Sequence, residues 1–462
     1  MSGRPILTAA ETRAAEQALF DRGLSVHTLM ERAGRAAADL TWDRFGPLSA
    51  LVACGPGNNG GDGYVLAARL RERGVAVRVA ASTEPATDAA RGARAVWGGE
   101  VEPLATAAAA PLFVDALFGT GLSRPLDEAV AGAARRLAEA ARARVAIDLP
   151  SGIATDDGAV LSEPPRADLT VALGALKRAH RLMPAMALCG TVVVADIGVA
   201  ATSRVVEVSP PAVARPGFES DKYKRGKVVV LAGAMPGASL LSALAAQRSG
   251  AGYVELLGAG GEAPPHALVR RAWDAEALGD ARIGAIVAGP GLGTGDLAKD
   301  RLRAALATDR PLVVDADALN LLSENGIEEL RERRAPTVLT PHMGEFARLL
   351  PDAAGTALDK ARAGAAAAGA VFVLKGAATV IAAPDGRAAI DPPAPPWLAS
   401  AGTGDVLSGV IATMLAQGMA PFAAAQAGVW LHAEAARRAG PLLIADDLLP
   451  CLREAVAACL AR

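Results

Sequence analysis

Short apolar runs recur along the chain, and each stops at a loop of glycines and acidic residues before helical spacing resumes. Residues 8–40 alternate apolar and charged positions with the period of an amphipathic helix that covers a sheet. The run 48–54 predicts a strand, 55–63 a glycine loop, and Tyr64 to about Arg73 a helix. Further strands are expected at 75–80, 112–115 and 145–148, the last two ending in Asp115 and Asp148. After a proline-rich join the alternation restarts, with strands expected at 228–231, 285–288, 311–314, 337–339 and 371–374. Strand and helix in alternation predict an α/β protein with mostly parallel sheets, and no internal repeat relates the halves.

A chain of 462 residues exceeds what one core usually supports. Two domains, 1–208 and 222–462, are expected on either side of a linker at 209–221, where prolines remove backbone donors. Lys plus Arg number 47 against 49 for Asp plus Glu, which offers no bulk charge for nucleic acid or a membrane surface. Cys54, Cys189, Cys451 and Cys459 form no CxxC pair, against a disulfide framework or zinc site and in favour of a reducing cytoplasm. Glu11, Arg13 and Glu16 interrupt the apolar core a signal peptide would need. Residues 406–433 are uncharged and long enough to cross a bilayer, but Gln417, Gly418 and Pro421 predict a stop and restart, hence two buried helices.

The chemistry concentrates in the loops. Gly55, Gly57 and Gly60 satisfy GxGxxG, yet the acidic residue a dinucleotide fold wants after the next strand is replaced by Ala81-Ser82-Thr83. In a parallel sheet, Asn59, Asp62, Asp115, Asp148 and Ser151 all fall on one edge, and so many oxygens point to a hard cation or a polar ligand. Near the C-terminus, Gly402 and Gly404 allow a tight turn whose N–H groups, with the following helix, favour phosphate. Asp405 beside that turn is either a helix cap or the base for a hydroxyl attacking a phosphoryl group. His342 is a candidate ligand contact or a satisfied surface residue. Lys375, Gly376, Ala377, Ala378 and Thr379 can lie along a nucleotide's phosphates, although no Walker A sequence occurs.

The strings PGNNGGDG, VDALFGTGLSRP and AIDLPSGIATDDG resemble the NAD(P)H-hydrate epimerase that forms the N-terminal half of YjeF-type proteins. That resemblance implies a Rossmann-like domain binding hydrated NAD(P)H through Asn58, Asn59, Gly60, Gly61 and Asp62 and through Gly119, Thr120, Gly121, Leu122, Ser123, Arg124 and Pro125. It implies Asp148 as acid/base, Lys177 as a further candidate in the pocket, and potassium at Asn59, Asp115 and Ser151. GPGLG, DADALN, TPHMGE, KG and AGTGDVLSG, in this order, resemble the ribokinase-like dehydratase of the same family. Here the implied contacts are Ala251, Gly291 and His342 for the hydrate, and Lys375 to Thr379 with Gly402 and Gly404 for ADP carrying magnesium. Asp405 is the implied base. Met343 and Trp397 depart from the family pattern. A small-metabolite kinase fused to a non-catalytic nucleotide-binding module is the rival reading, and a homo-oligomer stays open.

Overall fold

The structure is a computed structural model describing residues 3–261 and 263–460, without the side chain of Asn325. It divides into two units, Arg4–Ser203 and the chain from Arg204 onward. The division precedes the expected linker because strand Val205–Glu207 pairs in parallel with Ala388–Ile390 of the second unit. The proline-rich stretch thus follows the first strand of the second sheet.

In the first unit a seven-stranded sheet runs, in spatial order, Val101–Pro103, Val77–Ala81, Ala50–Cys54, Leu112–Ala116, Ala143–Ile147, Leu169–Leu173 and Thr191–Ala195. Every pairing is parallel. Chain order reverses between Ala50–Cys54 and Leu112–Ala116, so a crevice opens where their C-terminal loops diverge. The helix expected over 8–40 is two helices, Ala9–Phe20 and Val26–Phe45. Gly23 takes φ +92° between them, and each has its own cap: Thr8 with Glu11 in a capping box, and Ser25.

The expected glycine loop is also shorter than its sequence implies. A helix spans Asn58–Glu72, so Gly60, Gly61, Asp62 and Gly63 are helical rather than loop residues. Glycine costs about 1 kcal/mol in a helix interior, and here proximity explains it. A Cβ on Gly60 would collide with the Gly55 backbone, one on Gly61 with Met30, and one on Gly63 with Ala116 and Cys54. The helix is seated directly on the sheet edge because Gly60 and Gly63, on the face turned toward it, have no side chains to hold it off.

The second unit contains a ten-stranded sheet in the order Val205–Glu207, Ala388–Ile390, Val380–Ala382, Val371–Leu374, Thr337–Leu339, Leu312–Val314, Ile283–Ala288, Lys227–Leu231, Tyr253–Leu257 and Val269–Arg271. Only Val380–Ala382 runs antiparallel to its neighbours. The reversal of chain order lies between Ile283–Ala288 and Lys227–Leu231. Helices Pro236–Arg248, Thr403–Ala416 and Pro421–Ala439 pack their alanines and valines against the valine-rich strands. The uncharged run is therefore two helices separated at Gln417–Ala420, and no helix among the described residues is long and apolar enough to cross a membrane.

Candidate active sites

The first site forms where the Ala50–Cys54 and Leu112–Ala116 loops separate. A cavity of about 550 Å³ is lined there by Asn58, Asn59 and Asp62, by Gly119 through Arg124, and by Asp148 and Lys177. Asp148 follows strand Ala143–Ile147 in the left-handed region, φ +67°, a conformation that costs a non-glycine residue on the order of 1–3 kcal/mol. Its partners hold it there. Oδ2 accepts from Thr120 N at 2.9 Å and Thr120 Oγ1 at 2.6 Å, and Oδ1 accepts from Lys177 Nζ at 2.5 Å. Its backbone oxygen meets His180 Nε2 at 2.7 Å. Burial pushes the Asp148 carboxyl up, but the Lys177 ammonium and the hydrogen bonds from Lys177 and Thr120 outweigh it and hold the group at about 2. At neutral pH Asp148 is an oriented anion.

Asp115 and Ser151 lie under this cavity instead of lining it. Ser151 donates N–H to Asp115 Oδ2 at 2.8 Å and its hydroxyl to Oδ1 at 2.6 Å. Burial raises the Asp115 carboxyl, and no cationic side chain is among the groups acting on it. Asn59 Nδ2 is buried with no partner among the described residues, and turning the amide over would put an oxygen in that place. A buried carboxylate with no cationic group acting on it and a buried amide without a partner fit a cation held by oxygen ligands. Gly60 and Gly61 are used in helix packing, and Pro125 does not line the cavity. Sequence reading missed Arg13 and Glu16, which reach the cavity from helix Ala9–Phe20. Their signal was a pair of charges three residues apart on one face of a helix otherwise read as a cover.

The second site is built around helix Thr403–Ala416. Its N-cap, Gly402, takes φ +85°, and a Cβ there would press on Leu241 and Ala445. Asp405 stands in the first turn but caps nothing, since the helix has no side-chain cap. Burial and then the charge of Asp315 raise it to about 6. The nearby lysine does not cancel this, because Lys375 Nζ bonds Asp315 Oδ1 at 2.7 Å while Ser408 Oγ bonds Asp315 Oδ2 at 2.5 Å. A Cβ on Gly404 would sit 3.2 Å from Lys375 Nζ, which leaves the ammonium at the mouth of the glycine turn.

His342 caps helix Met343–Leu349, its Nδ1 accepting from Gly344 N at 2.9 Å, and its side chain remains half exposed beside a backbone bridge to Lys375. Gly376, Ala377, Ala378 and Thr379 form the turn of an antiparallel hairpin next to it, with Ala378 turned into the core. Gly291 belongs to the same edge, where Met235 N donates to its oxygen at 2.9 Å across the topological reversal. Ala251 does not. It precedes strand Tyr253–Leu257, and its neighbour Gly250 accepts from Gln417 Nε2 at 3.2 Å, past the far end of helix Thr403–Ala416. The expected contact fails because residues that enter a parallel strand lie on the edge opposite to those that leave it. Met343 and Trp397 are both partly exposed beside this site.

Two α/β domains, each with a carboxylate and a lysine at the crevice of a parallel sheet, define a two-site enzyme for nucleotide-like ligands. Residues 26–179 match the family described as YjeF-related protein N-terminus, and 228–446 the family described as NAD(P)H-hydrate dehydratase. The bifunctional NAD(P)H-hydrate repair enzyme Nnr of Salinibacter ruber is 37% identical, covering 96% of this chain and 95% of that protein. The protein of the same name from Mycobacterium tuberculosis is 38% identical over 88% of each chain. Among solved structures, a Bacillus subtilis ADP/ATP-dependent NAD(P)H-hydrate dehydratase co-crystallised with ATP/Mg2+ is 30% identical, covering 54% of this chain and 95% of that one, with a TM-score of 0.45. The chain belongs to the family of bifunctional NAD(P)H-hydrate repair enzymes.

Proposed function

We infer that this chain restores hydrated NAD(P)H: the first unit epimerises the R and S hydrates, and the second dehydrates the S form at the expense of a nucleotide. The observation that carries the reading is the presence of both carboxylate sites, Asp148 with Lys177 and Asp405 with Lys375, in one chain. A metabolite kinase would need only the second.

In the second unit, Asp405 takes the proton of the hydrate's C6 hydroxyl as that oxygen attacks the terminal phosphate of ADP. A carboxyl near 6 is ionised at neutral pH yet basic enough to receive the proton. Gly402 to Gly404 offer N–H groups and the positive end of a helix to the phosphate, and Lys375 adds a fixed ammonium. The transferred phosphate then leaves with the C6–O electron pair, a proton is lost from the adjacent ring carbon, and NAD(P)H is restored. Hydroxide would be a far poorer leaving group. Magnesium, when bound, supplies charge neutralisation at the phosphates.

In the first unit, Thr120 and Lys177 orient the Asp148 carboxylate toward the C6 carbinol and the ring nitrogen, where proton transfer interconverts the two hydrates. Asn59, Asp115 and Ser151 would hold potassium, whose positive charge would offset the buried Asp115. The four cysteines are free thiols, which supports a reducing cytoplasm as the compartment. The decisive experiment gives racemic hydrated NADH to the full chain with ADP or with ATP and follows recovery of dihydronicotinamide absorbance. Complete recovery with ADP supports both activities. Recovery that stops at half shows dehydration without epimerisation, and a stable phosphorylated product would establish the kinase reading instead.

A further inference from the structure

We propose that Asp62 is the proton donor of the first cavity, acting on the C6 hydroxyl that the ionised Asp148 cannot protonate. This inference rests on the epimerase reading and assigns a role that reading lacks. An acid must give a proton for the hydroxyl to leave as water, and Asp148 has none to give, since Lys177 and Thr120 bond it as an anion.

Asp62 is placed differently. It lies in the second turn of helix Asn58–Glu72, lines the cavity and is only 8% exposed. No hydrogen bond or ion pair joins its carboxyl to any described residue, Asn59, Asp115 and Ser151 included. A buried carboxylate so unassisted takes up a proton. The groups around it point the same way: Glu16 from helix Ala9–Phe20, Asp148 from the end of strand Ala143–Ile147 and the neutral thiol of Cys54 beneath it add no positive charge. Lys177 is the one cation acting on Asp62, and its ammonium is already bonded to Asp148 Oδ1 at 2.5 Å and to the Leu173 oxygen at 2.6 Å. Burial, then Asp148 and Glu16, raise Asp62 well above the usual carboxyl range. Glu16 is the third carboxyl on the cavity, but it is less buried than Asp62 and has Arg13 beside it.

The step closes in atoms and charge. Asp62 gives its proton to the C6 oxygen, the C6–O bond breaks with its electrons leaving in water, and the ring nitrogen's lone pair forms an N1–C6 iminium. The Asp148 carboxylate stabilises that cation. Water then adds to the opposite face, and its proton returns to the Asp62 carboxylate through the water just released, so both carboxyls end as they began.

The test uses the full chain without nucleotide, the resolved R hydrate of NADH as substrate and chromatographic separation of R and S. Asp62→Asn, which keeps the shape, is expected to slow exchange on the order of 100-fold or more with KM within about threefold of wild type. Wild-type exchange is expected to fall as pH rises through the titration of Asp62, which burial, Asp148 and Glu16 shift upward, and Asp62→Glu to recover part of the rate. Exchange by Asp62→Asn within about threefold of wild type overturns the proposal. So does a wild-type rate that stays flat into alkaline pH, a measurement that stands even when the variant fails to fold. If Asp148→Asn loses exchange while Asp62→Asn keeps it, the epimerase reading survives and this proposal falls. A wild-type chain that exchanges no hydrate overturns both.

Discussion

Both sites pair a carboxylate with a lysine at the reversal of a parallel sheet, yet the two carboxylates are tuned in opposite directions. In the first unit Lys177 bonds the working carboxylate, Asp148, directly and holds it at about 2. In the second, Lys375 is claimed by the buried Asp315, and Asp405 rises to about 6. A lysine therefore makes its neighbour a permanent anion or leaves it a usable base according to which oxygen it is tied to. The first arrangement suits a site that stabilises positive charge on a ring. The second suits a site that must collect a proton while phosphate transfers.

The contrast can be broken most forcefully at Asp405. Asp405→Asn should reduce nucleotide-dependent dehydration on the order of 10³-fold and leave R-to-S exchange unchanged, measured on one preparation by absorbance recovery and by chromatography. Equal loss of both activities would mean that the sites are not separately tuned. Lys177→Met is expected to slow exchange about 100-fold and to introduce an acid limb, because Asp148, released from its ammonium, would take up protons at higher pH than in wild type.

A subtler test lies in pH. Asp405 must be ionised to accept a proton, so dehydration should fall as pH drops through about 6, while exchange, relying on an Asp148 anion that persists to about 2, should show no acid limb in that range. Asp315→Asn removes a charge that raises Asp405 and frees Lys375, and should move the dehydration limb to lower pH. A limb that stays in place would detach Asp315 from the tuning. The smallest effect concerns support. Gly60→Ala would drive a methyl into the Gly55 backbone and should cost the first unit about 1–3 kcal/mol, read from denaturant unfolding, with little change in dehydration.

Much of this was legible beforehand. Apolar runs ending in Asp115, Asp148 and Asp315 marked strand ends, and in a parallel sheet strand ends share an edge, so candidates far apart in sequence could be gathered without coordinates. The break in the uncharged run at Gln417–Ala420 could be read in the same way, from helix-stopping residues alone. Misplacements arose where proximity overrides local preference. Gly60 to Gly63 read as loop because glycine disfavours helices, and became helix because the sheet lies too close for side chains. Ala251 was a pocket contact implied by the family resemblance alone, and a likeness of sequence strings carries no information about which sheet edge a residue reaches.

By itself, then, the sequence determined the α/β alternation, the reversal loops and the residue types able to handle phosphate and protons, since these follow from periodicity and side-chain chemistry. Only the tertiary structure decided the protonation states. Whether a carboxylate is an anion, a base or an acid depends on burial and on which charge lies within a few ångströms. Lys177 is 29 residues from Asp148, and Lys375 is 60 from Asp315, separations at which the sequence carries no contact signal. Folding brings each lysine onto one particular oxygen, and that choice separates the two chemistries.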